Sequence, residues 1–112
     1  MNKRSQSRSA ARLAAVQALY QHEMEGTPVP KLIHEFHQHR IGATIEDEEY
    51  ADADTEFFDD IVKGTLARLP EIDAAIIGRL ASGWSMERLD RTMKAILRAG
   101  SYELMARGDV PV

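Results

Sequence analysis

Residues 88–104 read Arg88-Leu89-Asp90-Arg91-Thr92-Met93-Lys94-Ala95-Ile96-Leu97-Arg98-Ala99-Gly100-Ser101-Tyr102-Glu103-Leu104. Leu89, Met93, Ile96, Leu97, Gly100 and Leu104 recur at three-and-four spacing, the longest clean helical period in the chain. The spacing predicts a helix from about Ser85, as its cap, to Arg107, stopped by Gly108. No stretch alternates with period two, and no internal repeat is present, so the fold class to expect is all-α.

Working outward, Ile72, Ala75, Ile76 and Leu80 mark the apolar face of a preceding helix, opened by Pro70 and stopped by Ser82-Gly83. Before it, Phe58, Ile61, Val62, Thr65, Leu66 and Leu69 form the inner face of another, capped by Asp54 or Thr55. Residues 43–53 are acidic and aperiodic and read as a loop. Val29, Leu32, Ile33 and Phe36 mark a short helix after Pro28. Leu13, Val16, Leu19, Tyr20 and Met24 mark the first helix, with Ser9 as its cap and Gly26-Thr27-Pro28 as its end. The expectation is one domain over residues 1–112: about five helices, a basic arm over 1–8 and an acidic loop over 43–53.

The 112 residues are 44% hydrophobic, enough to bury one core. There is no cysteine, which excludes disulfides and thiolate metal sites. No apolar run approaches the roughly 20 residues that span a bilayer. No apolar stretch follows the polar, basic first residues, so the expected location is cytoplasmic. The net charge of −4 hides a segregation. Lys3, Arg4, Arg8 and Arg12 occupy the first dozen residues with no acid among them, whereas residues 46–60 hold nine acids and no base. Because screening cuts interactions off within roughly 8–10 Å, a basic arm on an acidic protein can still hold a polyanion.

Arg4, Arg8 and Arg12 are four apart, so a helical arm would align their guanidiniums for phosphate contacts. Tyr20, eight residues beyond Arg12, is a candidate stacking platform for a base. The same residues also read as a solubilising tail with Tyr20 in the core. His34 and His37 share a helix face and His39 is close by, but no third ligand falls at a usable spacing, so a solvated face is expected and no metal. The acidic stretch lacks the glycine and spacing of a calcium loop; it reads as a solvated patch that keeps nucleic acid off one side. Nucleophile elbows, phosphate loops and paired Cys/His motifs are missing, so no catalytic residue, cofactor or enzyme activity is expected.

The segment Ser9-Ala10-Ala11-Arg12-Leu13-Ala14-Ala15-Val16-Gln17-Ala18-Leu19-Tyr20 resembles the opening of the NusB family of bacterial transcription antitermination factors. So does a second block: Ile96-Leu97-Arg98, Tyr102-Glu103-Leu104 and Asp109-Val110-Pro111, with Trp84 ahead of it. The resemblance implies a helical bundle that binds the boxA element of ribosomal RNA leader transcripts. It does so with a small-subunit ribosomal protein acting as NusE, and thereby acts on the RNA polymerase elongation complex. Carried over, the RNA contacts would be Lys3, Arg4, Arg8, Arg12 and Tyr20, with Lys94 a further candidate.

Family members continue past Asp-Val-Pro with two more helices, so the expected bundle is C-terminally truncated relative to the family. Met93, Leu97 or Leu104 would then face water, and the expectation is self-association, possibly as a homodimer. Two other readings stand beside RNA-binding antitermination. One is an RNA-positioning domain of a ribosomal RNA methyltransferase fragment. The other is a dimerisation module without RNA binding.

Overall fold

The computed structural model describes residues 3–38, 48–80 and 82–106. Side chains are described from Arg8 and, after the gap at 39–47, from Thr55. Among the described residues there are five α-helices, one short 3-10 turn and no strand: α1 (Lys3–Glu25), α2 (Val29–Phe36), α3 (Glu48–Ala67), α4 (Leu69–Ile77), the 3-10 turn (Met86–Arg88) and α5 (Arg91–Ala106). None of these helices is long and apolar enough to cross a membrane.

The helix punctuation follows local chemistry. Gly26 ends α1 with φ +68°, where a side chain would be strained, and its N–H donates to the His22 carbonyl at 2.9 Å. Proline sits in the first turn of both α2 and α4, where the missing N–H costs nothing. Four boundaries differ from the sequence reading, one being that α4 ends at Ile77, with Gly78 as its C-cap, so Leu80 lies beyond it. α1 starts at Lys3, so Ser9 lies inside it and the arm is helical. α3 starts at Glu48, so the later half of the stretch read as loop is helix; residues 43–47 lie outside the described residues. α5 is capped by Asp90, whose carboxylate accepts the Met93 N–H at 2.8 Å, whereas Ser85 precedes only the 3-10 turn and makes no side-chain cap.

The core is built on α3. Phe58, Ile61 and Val62 are fully buried with Leu32 of α2 and Ile72 of α4, and Phe58 stacks on Phe36 with centroids 5.6 Å apart. α1 and α5 reach this core largely with alanines. On α1 the buried face is Ala11, Ala14, Ala15, Ala18 and Leu19, while Leu13 is 61% exposed and Tyr20 and Met24 also face out. On α5 it is Ala95, Ala99, Tyr102 and Glu103, while Met93, Ile96 and Leu104 are exposed and Leu97 is half-buried, as is Leu89 just before the helix. Leu19 is buried as the sequence reading had it, and Val16 and Leu97 pack against the core, but Leu13, Tyr20, Met24, Met93, Ile96 and Leu104 are corrected to the surface. The reason is steric: alanines let helix backbones approach closely, and the close approach excludes the bulky stripe.

The same close approach joins α5 to α3. A Cβ on Gly64 would run into the Tyr102 ring, so only glycine permits this contact. The Tyr102 hydroxyl donates to Asp60 Oδ1 at 2.7 Å, one turn earlier on α3.

Candidate nucleic-acid interface

The basic arm is the N-terminal part of α1. Helix start is intrinsically poor there: the first turn carries no acid, and positive charge lies at the positive end of the helix dipole. The side chains of Lys3 and Arg4 lie outside the described residues. Arg8 is half-buried, its guanidinium 5.5 Å from the centroid of the Phe57 ring of α3. Arg12 lies over the same ring, also at 5.5 Å. It is further engaged in a two-pronged pair with Glu103 of α5: Nε to Oε1 at 2.6 Å and Nη2 to Oε2 at 3.0 Å. The Glu103 side chain is 9% exposed and that of Arg12 37%. Thus of the arm's arginines whose side chains are described, both turn toward α3, and Arg12 spends its planar donor edge on a buried carboxylate.

Tyr20 and Lys94 form a second group. Arg8 and Tyr20 are twelve residues apart, roughly 18 Å along the helix. Tyr20 is 38% exposed and lines an open cleft of about 630 Å³ with Leu89, Met93, Lys94 and Ile96. Its ring is therefore on the surface and not in the core. Lys94 Nζ lies 3.3 Å from Glu23 Oε1, and Glu23 in turn lies 3.7 Å from Arg98 Nη1. Arg98 completes the chain with two bonds to Asp73, at 2.8 and 2.9 Å. Those bonds raise the Arg98 guanidinium above its ordinary value; burial opposes the shift, and the charges of Asp73 and Glu23 add to it. Lys94 is thus one member of a network tying α1, α4 and α5 together.

The other candidates are taken up internally. His37 Nε2 lies 2.6 Å from Asp59 Oδ1, linking α2 to α3, while His34 is exposed and His39 lies outside the described residues. Among the described residues no three His, Asp or Glu side chains converge as a metal site. Of the acidic stretch, Asp59 and Asp60 bond His37 and Tyr102.

The sequence reading did not single out Glu103, Phe57 or the Glu23–Arg98–Asp73 chain. Glu103 pairs with a residue 91 positions away, and neither partner carries a local signal of the other.

Beyond this geometry, the NusB family model matches residues 9–112. The chain belongs to the NusB family. It is 86% identical over 112 residues to the transcription antitermination protein NusB of Sphingopyxis alaskensis, covering all of this chain and 75% of that protein. The protein of the same name from Novosphingobium aromaticivorans is 67% identical over 106 residues, 95% of this chain and 72% of its own length. That of Caulobacter vibrioides is 54% identical over 108 residues, 96% of this chain and 72% of its own length. The two blocks that carry the resemblance become structural neighbours in this NusB bundle: Arg12 from the first meets Glu103 from the second.

Proposed function

We propose that this NusB-family chain is a cytoplasmic transcription antitermination factor that acts by binding RNA and not by catalysis. Its RNA is boxA-type leader RNA of ribosomal RNA operons, and its protein partner is the small-subunit ribosomal protein that acts as NusE in the elongation complex. The observation that carries the reading is the arm. Four bases and no acid stand in residues 1–12, and from Lys3 onward they lie on the first turns of α1. Such an arm presents cations in a row along a single-stranded backbone.

Binding should therefore be electrostatic. Log affinity for a boxA RNA oligonucleotide should fall linearly with log salt, and deleting residues 1–8, which removes Lys3, Arg4 and Arg8, should flatten the slope by roughly 2 and weaken binding. A salt titration of the full chain and the deletion measures this. An unchanged slope would place the site elsewhere.

The outer face of α4 and α5 supports a second property, pairing with another copy of the chain. A cleft of about 400 Å³ between these helices is lined by Ile76, Leu80, Leu97, Leu104 and Met105, and Leu104 is 69% exposed. Three uncovered Leu, Ile or Met side chains represent on the order of 5 kcal/mol of forgone burial. Light scattering should give a mass above the monomer as concentration rises. A monomeric mass throughout, with a cooperative melt, counts against pairing.

A further inference from the structure

We propose that Glu103 and Phe57 are positioning residues of the RNA-binding arm, and that Arg12 anchors that arm and does not itself contact a phosphate; the proposal rests on the RNA-binding reading above.

The arm needs an anchor. Its first amide N–H groups have no helical partners, and its own cations oppose the helix dipole. An unanchored arm of this composition frays. The anchor is built from two other helices. Phe57 of α3, itself 3% exposed, presents its ring to the guanidiniums of both Arg8 and Arg12. Glu103 of α5 takes the Nε and Nη2 edge of Arg12. Glu103 is rigidly held, because its neighbour Tyr102 is locked against Gly64 and Asp60 of α3. The Nε–Nη2 edge of Arg12 is already held by Glu103, and freeing it would leave a buried carboxylate without its cation. What the anchor contributes is order: the arm stays helical and keeps Arg4 and Arg8 one turn apart on α1.

This assigns a signature that separates positioning from contact. Losing a phosphate contact flattens the salt slope by about 0.7 for a single strand. Losing the anchor leaves the contacts unchanged in number but makes RNA binding order the arm first, which weakens binding roughly 3- to 10-fold at constant slope. The arm's share of the parent slope is then about −2, from Lys3, Arg4 and Arg8, and not the roughly −3 of four contacts.

The test uses the full chain and a fluorescently labelled boxA RNA oligonucleotide across a salt series, well below the melting temperature of each variant. Glu103→Gln, Phe57→Leu and Arg12→Gln should each weaken binding with the slope unchanged, and hydrogen exchange of the arm amides should accelerate in all three. Arg4→Gln should flatten the slope. Tighter binding by Glu103→Gln, or a flattened slope in Arg12→Gln, would show Arg12 contacting phosphate and overturn the proposal. Unchanged affinity in Glu103→Gln and Phe57→Leu would make the pair structural only and also overturn it; Phe57→Leu decides alone if Glu103→Gln does not fold. If instead the parent shows no salt-dependent binding, the RNA reading itself fails.

Discussion

Replacing Arg12 with alanine should cost about 3 kcal/mol of stability and lower the melting temperature by roughly 10 °C or more. The loss follows from what remains behind. Glu103 keeps 9% of its side-chain surface in water, and alanine offers its carboxylate no donor at 2.6 or 3.0 Å. Removing one partner of a buried pair costs about 3–5 kcal/mol, and the lower end applies because Arg12 is 37% exposed and part of its field is screened. The Phe57 contact is lost with the same guanidinium. Converting both residues together, as Arg12→Met with Glu103→Leu, should recover most of the stability, since no charge is then stranded. Chemical denaturation of the single and double variants is the measurement. A single variant within about 1 kcal/mol of the parent would mean that Glu103 finds water or another cation, and would remove the pair from the account of how α1 meets α5.

Phe58→Ala should be at least as damaging, at about 4 kcal/mol. The ring is fully buried, stacks on Phe36 at 5.6 Å and meets the edge of His37 at 5.9 Å. It thus fills the space between α2 and α3 next to the His37–Asp59 bond. Truncation to alanine leaves a cavity between α2 and α3, and the total stability of such a domain is only about 5–15 kcal/mol. The expected result is a broadened, low-temperature melt with α2 loosened first. Phe58→Leu, which keeps most of the volume, should lose no more than about 1.5 kcal/mol. If the alanine variant melted within roughly 5 °C of the parent, the core would have to be organised around other residues.

The two effects differ in how far the sequence announced them: the Arg12–Glu103 pair joins residues 91 positions apart and carries no local signal. Phe58 was legible: its spacing with Ile61, Val62 and Thr65 marks the inner face of α3, and those residues are buried. The same logic placed Leu32, Ile33 and Phe36 inside. On α1 and α5 it placed Leu19 correctly but also selected Leu13, Met93, Ile96 and Leu104, which are exposed, and it passed over the alanines that make up most of the buried rows. Alanine carries little hydrophobic weight, so its period is faint beside that of leucine. Its advantage appears only when a second helix comes close enough to need it.

The basic arm was legible as a cluster of charge, and the family as two ordered blocks, because both are properties of residues near one another in the chain. Helix number and class were determined in the same way, by local periodicity and by the proline and glycine stops. What each charged side chain does was decided by tertiary structure alone. Arg4, Arg8 and Arg12 are an even series in sequence. The fold separates Arg12 from the series by bringing Glu103 to it from 91 residues away, and it draws Lys94 into the Glu23–Arg98–Asp73 network. The physical reason is that a charge acts within roughly 8–10 Å in salt water. Its partner is therefore set by which helices pack together, and that packing depends on the small-residue faces of α1 and α5, which hydrophobic periodicity did not reveal.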